Sequence, residues 1–139
     1  MTRVLVIDDC EELRLIVGDL LEDMGMEVFS AEDVKAAWKQ LDSQSFDLVL
    51  CDLVMPLDEE DDEEDNSSAM VGVHAIHELS KRYPKLPIVA ISGELTGEPL
   101  RAIRQFGALT TISKPFGQEE LRAAVEYALV RDGENAKSH

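Results

Sequence analysis

Apolar runs alternate with amphipathic helical patterns five times along this chain of 139 residues. The apolar runs predict strands over residues 3–7, 27–30, 46–51, 88–91 and 109–112. Apolar residues at helical spacing predict helices over residues 13–24, 34–41, 71–83, 98–106 and 118–130. Strands that alternate with helices form parallel βαβ units with right-handed crossovers. The alternation therefore predicts a single doubly wound α/β domain with three layers.

Acidic residues lie at the ends of two predicted strands. Asp8 and Asp9 follow the first apolar run, and Asp52 follows the third. Because the carboxyl ends of neighbouring parallel strands meet at one edge of the sheet, we expect these carboxylates to share a small space. Three close carboxylates bind a hard divalent cation such as Mg²⁺. Lys114 follows the fifth run, and an acidic trio with one lysine indicates a site that handles phosphoryl groups.

Composition narrows the classes of function. A net charge of -16 argues against direct nucleic-acid binding, which requires Lys and Arg to neutralise phosphates. No stretch approaches the roughly 20 apolar residues of a membrane span, so no membrane partner is expected. The two cysteines, Cys10 and Cys51, do not form a disulfide framework, and a cytoplasmic location is expected. Cys51 precedes Asp52 on a strand, so its side chain is expected to be buried and to face away from the acidic site.

Four segments at strand ends carry a resemblance to a known family. They are VLVIDD at 4–9, LVLCDLVMP at 48–56, IVAISG at 88–93 and SKPF at 113–116. In this order they resemble the receiver domain of two-component response regulators, over about residues 3–130. The resemblance implies the flavodoxin-like (βα)5 fold of the bacterial chemotaxis regulator, with a five-stranded parallel sheet in the order 2-1-3-4-5.

The resemblance also implies a metal site and a phosphoacceptor. Asp52 would accept the phosphoryl group. Asp8 and Asp9 would hold Mg²⁺ together with Asp52 and the backbone carbonyl of Val54, and Mn²⁺ would be an alternative metal. A carboxylate can act as a nucleophile and carry a covalent phosphoryl group.

The remaining matched residues would respond to phosphorylation. Ser92 would donate a hydrogen bond to a phosphoryl oxygen, and Lys114 would pair with the phosphoryl group or with Asp52. The bond between Lys114 and Pro115 is expected to be cis. Thr111 stands where many receivers carry an aromatic residue that moves with the hydroxyl, so the aromatic half of that switch is absent from this sequence.

These assignments imply a role in signalling. A histidine kinase or histidine phosphotransfer protein would donate the phosphoryl group. The domain, expected to extend over residues 1–131 with a flexible tail over 132–139, would act alone on a downstream protein or pass the phosphoryl group along a relay. It would be a monomer or a dimer linked to phosphorylation. Catalysis on external substrates is not expected, only self-phosphorylation and self-dephosphorylation.

Two other functions remain open. One is an interaction module that keeps the fold without using phosphate, although the set Asp8, Asp9, Asp52, Ser92 and Lys114 is intact. The other is a Mg²⁺-dependent phosphatase with an aspartyl-phosphate intermediate. Such enzymes place a second Asp two residues after the nucleophile, where this chain has valine or cysteine.

A long polar segment interrupts the pattern beside the expected site. Receivers normally reach the third helix a few residues after the Pro that follows the phosphoacceptor, whereas here about residues 57–70 form an insertion. It contains eight consecutive acidic residues, 58–65. The insertion is either a solvated loop or an acidic segment that repels anionic phosphodonors, recruits cations or binds a basic partner.

Overall fold

The structure is a computed structural model that describes residues 2–52, 65–92, 107–113 and 116–137. Its strands are β1 (Arg3–Ile7), β2 (Glu27–Ala31), β3 (Leu48–Asp52), β4 (Ile88–Ser92) and β5 (Thr110–Ser113). The helices in these residues are α1 (Glu11–Asp23), α2 (Val34–Ser43), α3 (Asp65–Arg82) and α4 (Gln118–Lys137). The predicted helix over 98–106 lies outside the described residues, as do residues 58–64 of the acidic run.

The strands form one parallel sheet in the order β2-β1-β3-β4-β5, which confirms the predicted flavodoxin-like fold. After β2 the chain crosses back over β1 to form β3, so the strand order reverses between β1 and β3. In open α/β sheets, ligands bind beyond the carboxyl ends of the strands at this reversal. The register pairs Ile7 with Cys51, and the acidic residues that follow these two therefore lie side by side.

Two apolar layers cover the sheet, one on each face. The first layer includes Leu5, Ile7, Val49, Cys51, Ala37, Leu41, Ile76 and Leu79. The second includes Val4, Val6, Leu48, Leu50, Val17, Leu21, Leu121 and Val125. Because both faces are buried, the central strands are continuous apolar runs in the sequence. Helices on both faces therefore hold the carboxyl ends of β1 and β3 in a fixed register.

The ends of the first two helices follow local sequence signals. Asp33 is the N-cap of α2, and its Oδ1 accepts a hydrogen bond of 2.7 Å from the Ala36 N–H. This bond satisfies one of the free N–H groups of the first turn. After α1, Gly25 adopts a φ of 87°, which glycine reaches without a steric penalty.

α3 begins earlier than the sequence analysis predicted. The helix begins at Asp65, within the segment over 57–70 that was interpreted as an inserted loop. Ala69 and Met70 have high helix propensity, and acidic residues are favourable at the positive end of a helix. The long acidic run concealed these preferences because a charged segment is normally interpreted as solvated loop.

α4 also extends beyond its predicted end at residue 130. It continues to Lys137, past the predicted end of the helix, while the domain boundary at residue 131 and the flexible tail over 132–139 stay predictions. Arg131, Glu134 and Ala136 have high helix propensity, which favours continuation of the helix despite the polar composition. No helix in the described part of the chain is long and apolar enough to cross a membrane.

Candidate metal centre

The pairing of β1 with β3 brings Asp8 and Asp52 to the same edge of the sheet. Each follows one member of the paired residues Ile7 and Cys51. Asp8 is fully buried and Asp52 is 2% exposed, whereas every other residue in the described part of the core is apolar. Burial of carboxylates is costly unless they are hydrogen-bonded or neutralised by a cation. Two adjacent buried acids therefore indicate a functional site.

Asp9 completes a group of three carboxylates. One carboxylate oxygen from each of Asp8, Asp9 and Asp52 can be chosen so that all three lie within 4.8 Å of one another. Asp9 is exposed, so the group borders solvent on one side and is held by the buried sheet on the other. The structure thus brings together the three acidic residues that the sequence analysis expected to meet.

The chemistry of this group fits a divalent cation. Mg²⁺ and Mn²⁺ prefer oxygen ligands, and Mg²⁺ in proteins is usually held by one or two carboxylates while it keeps several waters. Two buried carboxylates with a third at the solvent boundary provide such a partial ligand set. The carbonyl of Val54, the remaining expected ligand, lies outside the described residues.

Backbone contacts orient Asp8. Its Oδ1 accepts a hydrogen bond of 2.9 Å from the Cys10 N–H, and its own N–H donates to the Ala31 carbonyl at 3.0 Å. Its main-chain oxygen accepts a bond of 2.6 Å from Nη1 of Arg14, a residue of α1. The contact of Arg14 was not predicted from the sequence, because a bond from a helix side chain to the backbone of the preceding strand has no sequence pattern.

Cys51 lies beneath the acidic group as a buried thiol. It is fully buried and packs in the first apolar layer, which confirms that its side chain faces away from the acids. Burial raises the pKa of this thiol strongly, and the nearby charges of Asp52 and Asp8 raise it further. Sγ donates a weak hydrogen bond of 3.6 Å to the main-chain oxygen of Asp52. The thiol therefore stays protonated and does not act as a nucleophile.

The other expected site residues are only partly described. Ser92 ends β4 and pairs in register with Ser113 of β5, one position beyond the pair of Asp52 with Ile91. Its backbone thus lies at the same edge of the sheet as the acidic group, but its side chain is outside the described residues. Lys114 and Pro115, with their expected cis bond, are outside them as well.

Thr111 lies on β5, opposite Ala90 of β4, and is half-buried. It borders a shallow cavity of about 520 Å³ between β5 and α4. The cavity is also lined by Tyr127, an exposed aromatic residue of α4.

The fold and the site together define a doubly wound α/β domain with an acidic centre at its topological switch point. A family profile described as "Response regulator receiver domain" matches residues 4–126. The chain belongs to this family, which operates in two-component systems. Receiver domains generally bind Mg²⁺, in agreement with the acidic group at the carboxyl ends of β1 and β3.

Individual relatives support the same family. The chain is 30% identical to the sensor kinase/phosphatase CqsS of Vibrio cholerae over 119 residues, 86% of this chain and 16% of CqsS. It is 34% identical to the sensor protein GacS of Pseudomonas syringae over 123 residues, 88% of this chain and 13% of GacS. The chain therefore spans less than a fifth of each of these relatives.

A solved structure of similar size shows the same fold. The chemotaxis protein CheY4 of Vibrio cholerae is 27% identical and superposes with a TM-score of 0.80. The match covers 93% of this chain and 99% of CheY4. The whole described fold thus corresponds to a receiver domain.

Proposed function

We propose that this domain accepts a phosphoryl group on Asp52 from a histidine kinase or a histidine phosphotransfer protein, with a divalent cation held by Asp8, Asp9 and Asp52. The observation that carries the proposal is the group of three carboxylate oxygens within 4.8 Å at the carboxyl ends of β1 and β3. Such a group suits the binding of a cation, and a bound cation allows a fourth anionic group to approach.

Asp52 is the nucleophile in this proposal because of its place in the sheet. It ends β3, the central strand, which pairs with both β1 and β4, and Asp52 itself pairs in register with Ile91 of β4. Asp8 is oriented by the Cys10 N–H, which suits a metal ligand that must keep one position. Asp9 is exposed and can take part in binding a cation that enters from solvent.

The transfer step balances as a displacement at phosphorus. An oxygen of the Asp52 carboxylate attacks the phosphorus of a phosphohistidine in line with the N–P bond. The O–P bond forms while the N–P bond breaks, and the imidazole leaves with that electron pair and takes up a proton. A bound cation would supply charge neutralisation on the phosphoryl oxygens. Ser92 would donate a hydrogen bond to one of these oxygens, and Lys114 would add a positive charge.

Phosphorylation would act as a signal by shifting an equilibrium between two conformations. The expected response involves Ser92 and Thr111, whose strands β4 and β5 are adjacent. The names of CqsS and GacS, a sensor kinase/phosphatase and a sensor protein, support a kinase or a phosphorelay as the source of the phosphoryl group. The downstream partner would be a protein rather than nucleic acid, given the net charge of -16.

In this proposal the domain works in the cytoplasm as a phosphoacceptor and not as an enzyme on external substrates. Its chemistry would be limited to cation-dependent self-phosphorylation and self-dephosphorylation. It would act as a monomer or as a dimer whose formation depends on phosphorylation.

Intact-mass measurement tests the proposal. The chain is incubated with Mg²⁺ and either acetyl phosphate or a phosphorylated histidine phosphotransfer domain. We expect a gain of one phosphoryl group that is lost in Asp52→Ala and with EDTA. Asp42→Ala, which removes an exposed carboxylate of α2 away from the site, is the matched control and is expected to behave as the wild type.

A gain that persists in Asp52→Ala would show that another group is the acceptor. No gain from either donor would contradict the proposal and favour an interaction module that does not use phosphate. In that case, the binding of partners would be the same for Asp52→Ala and the wild type.

A further inference from the structure

Arg14 makes a hydrogen bond next to the acidic group that has no role in the proposed function. It lies in the second turn of α1, and its half-buried side chain reaches back towards the end of β1. There Nη1 donates a hydrogen bond of 2.6 Å to the main-chain oxygen of Asp8. A charged donor shortens and strengthens such a bond compared with a neutral one. A side chain of α1 thus binds directly to the backbone that connects Asp8 to Asp9.

This contact helps to fix the backbone on both sides of Asp9. The carbonyl of Asp8 and the N–H of Asp9 belong to one planar peptide. A hydrogen bond that fixes the carbonyl therefore also fixes the orientation of the Asp9 N–H. On the other side, the Cys10 N–H is held by Oδ1 of Asp8 at 2.9 Å. Asp9 itself is exposed and therefore lacks the packing that holds Asp8 and Asp52.

The choice of acceptor also has an electrostatic consequence. The ion pairs among the described residues join Arg3 to Glu27 and Lys81 to Glu78, and Arg14 is in neither. Because its acceptor is a carbonyl, Arg14 does not occupy a carboxylate oxygen that a cation would use. Its positive charge by itself repels a cation, so a favourable effect on metal affinity must come from the positioning of the backbone. A direct pair with Asp9 would compete with the metal.

We propose that Arg14 is a positioning residue that sets the affinity of the acidic group for its divalent cation, through the peptide between Asp8 and Asp9. The inference rests on the proposed function. Contacts outside the ligand set commonly change metal affinity by about 10-fold to 100-fold. The role predicted for Arg14 is confined to metal binding, and it does not contact the phosphodonor.

Mn²⁺ binding to the unphosphorylated full chain, followed by the electron paramagnetic resonance of free Mn²⁺, tests this role. Arg14→Met keeps the apolar stem but loses the donor and the charge, and we expect its Kd to rise about 10-fold. Arg14→Lys keeps the charge and a donor and is expected to recover most of the affinity. Arg122→Met removes an exposed arginine of α4 and controls for net charge, with an expected change below about twofold.

A second measurement separates positioning from direct catalysis. At saturating Mg²⁺, the phosphorylation rate of Arg14→Met is expected to return to the wild-type rate, whereas at low Mg²⁺ it falls with the lost affinity. A thermal melt establishes that each variant is folded. If Arg14→Met melts early, the comparison of Arg14→Leu with Arg14→Lys replaces it, and Arg14→Leu, which has no hydrogen-bond donor, is expected to bind Mn²⁺ more weakly.

An unchanged Mn²⁺ affinity in the folded variants would overturn the positioning role while the proposed function stands. A rate that stays low at saturating Mg²⁺, with unchanged Mn²⁺ affinity, would overturn it in favour of a contact with the donor. If the wild type binds no Mn²⁺ and accepts no phosphoryl group, the proposed function and this inference both fail.

Discussion

The guanidinium carbon of Arg82 lies 4.4 Å from the centre of the Trp38 ring and so joins α3 to α2 on one side of the sheet. Trp38 is half-buried against the first apolar layer, while Arg82 is exposed. A cation over an aromatic face contributes about 0.5–1 kcal/mol at an exposed site. The pair therefore adds a polar contact at the edge of the layer beneath it.

We expect Arg82→Met to lower the free energy of unfolding by about 0.5–1 kcal/mol, because the charge over the ring is lost. In a Trp38→Leu background, the same change should leave the free energy of unfolding almost unchanged. Urea denaturation of the wild type, the two single variants and the double variant, which form a double-mutant cycle, measures the difference. Lys81→Met is the control, since it removes the neighbouring charge and its surface ion pair with Glu78. Equal costs in both backgrounds would show that the ring and the guanidinium do not interact.

Asp8→Asn should remove the stabilisation of the fold by metal. At a Mg²⁺ concentration of 100 times Kd, the wild type should gain about 2.7 kcal/mol in the free energy of unfolding. Without metal, the variant should be more stable than the wild type by about 1 kcal/mol, because one of three repelling charges is lost. The Asn side chain retains an oxygen that can accept the bond from the Cys10 N–H. Urea denaturation with Mg²⁺ and with EDTA measures both effects.

Asp42→Asn is the control for that experiment, because Asp42 is exposed on α2. Its response to Mg²⁺ should match that of the wild type. Stabilisation of Asp8→Asn by Mg²⁺ to the same extent as the wild type would remove Asp8 from the ligand set.

Cys51 should make the stability of the fold depend on alkaline pH. Burial raises the pKa of its thiol, so the folded state keeps the proton that the unfolded chain releases above about pH 8.5. The protonated thiol of Cys51 therefore makes its full contribution to the free energy of unfolding below that pH, and this contribution decreases as the pH rises above it. Between pH 8 and pH 10 the loss should be about 2 kcal/mol.

Cys51→Ala lacks the titrating group, so its stability should fall by about 2 kcal/mol less over the same interval. Urea denaturation at pH 8, 9 and 10 measures the difference between the two proteins. Other groups that titrate in this range, including the exposed Cys10, are present in both and cancel. Parallel curves for the two proteins would contradict the burial of the thiol.

Two glycines offer a matched pair for separating backbone strain from steric clash. Gly25 and Gly107 have φ angles of 87° and 132°, both unfavourable for other residues. A Cβ added at Gly25 has no atom within 4 Å, but one added at Gly107 lies 2.5 Å from Cβ and Oγ of Ser80. Gly25→Ala should lower the free energy of unfolding by about 1 kcal/mol, and Gly107→Ala should lower it by about 1–3 kcal/mol more than that. Thermal and urea denaturation compare them, and equal costs would contradict the close approach to Ser80.

The acidic run should slow phosphorylation by small anionic donors. Because α3 begins at Asp65, residues 58–64 can be replaced by Asn and Gln at constant length without changing the first residue of the helix. We expect a higher rate with acetyl phosphate at low salt and a smaller difference at high salt, where charges are screened. Replacement of exposed acids in α4, such as Glu119 and Glu126, is the control. A rate that is unchanged at every salt concentration would remove this role.

The strands and the acidic group could be predicted because a buried strand has a recognisable apolar sequence. A strand covered on both faces must be apolar throughout, so Val4 to Ile7 and Leu48 to Cys51 are conspicuous, and the acids that follow them stand out. Parallel pairing then places the ends of β1 and β3 together. The meeting of Asp8, Asp9 and Asp52 follows from these facts, whereas the strand order was predicted from the resemblance to receiver domains.

The start of α3, the end of α4 and the contact of Arg14 could not be predicted in the same way. Helix ends in polar sequence depend on small differences in propensity, which a run of charges conceals. Arg14 fits the polar pattern of a surface helix position, and only the fold shows that its side chain reaches the Asp8 carbonyl. Contacts from side chains to the backbone depend on the path of the chain and not on residue type.

The place of Asp52 at the end of the central strand has a consequence for amide hydrogen exchange after phosphorylation. Amides in strands buried on both faces exchange mainly when the whole domain unfolds, whereas helix ends and surface turns open locally at much lower cost. A phosphoryl group on Asp52 would therefore be attached to the slowest-exchanging part of the protein. Partners that respond to it must contact segments that open more easily, so deuterium uptake after phosphorylation should change at the periphery of the sheet and stay constant in β1 and β3.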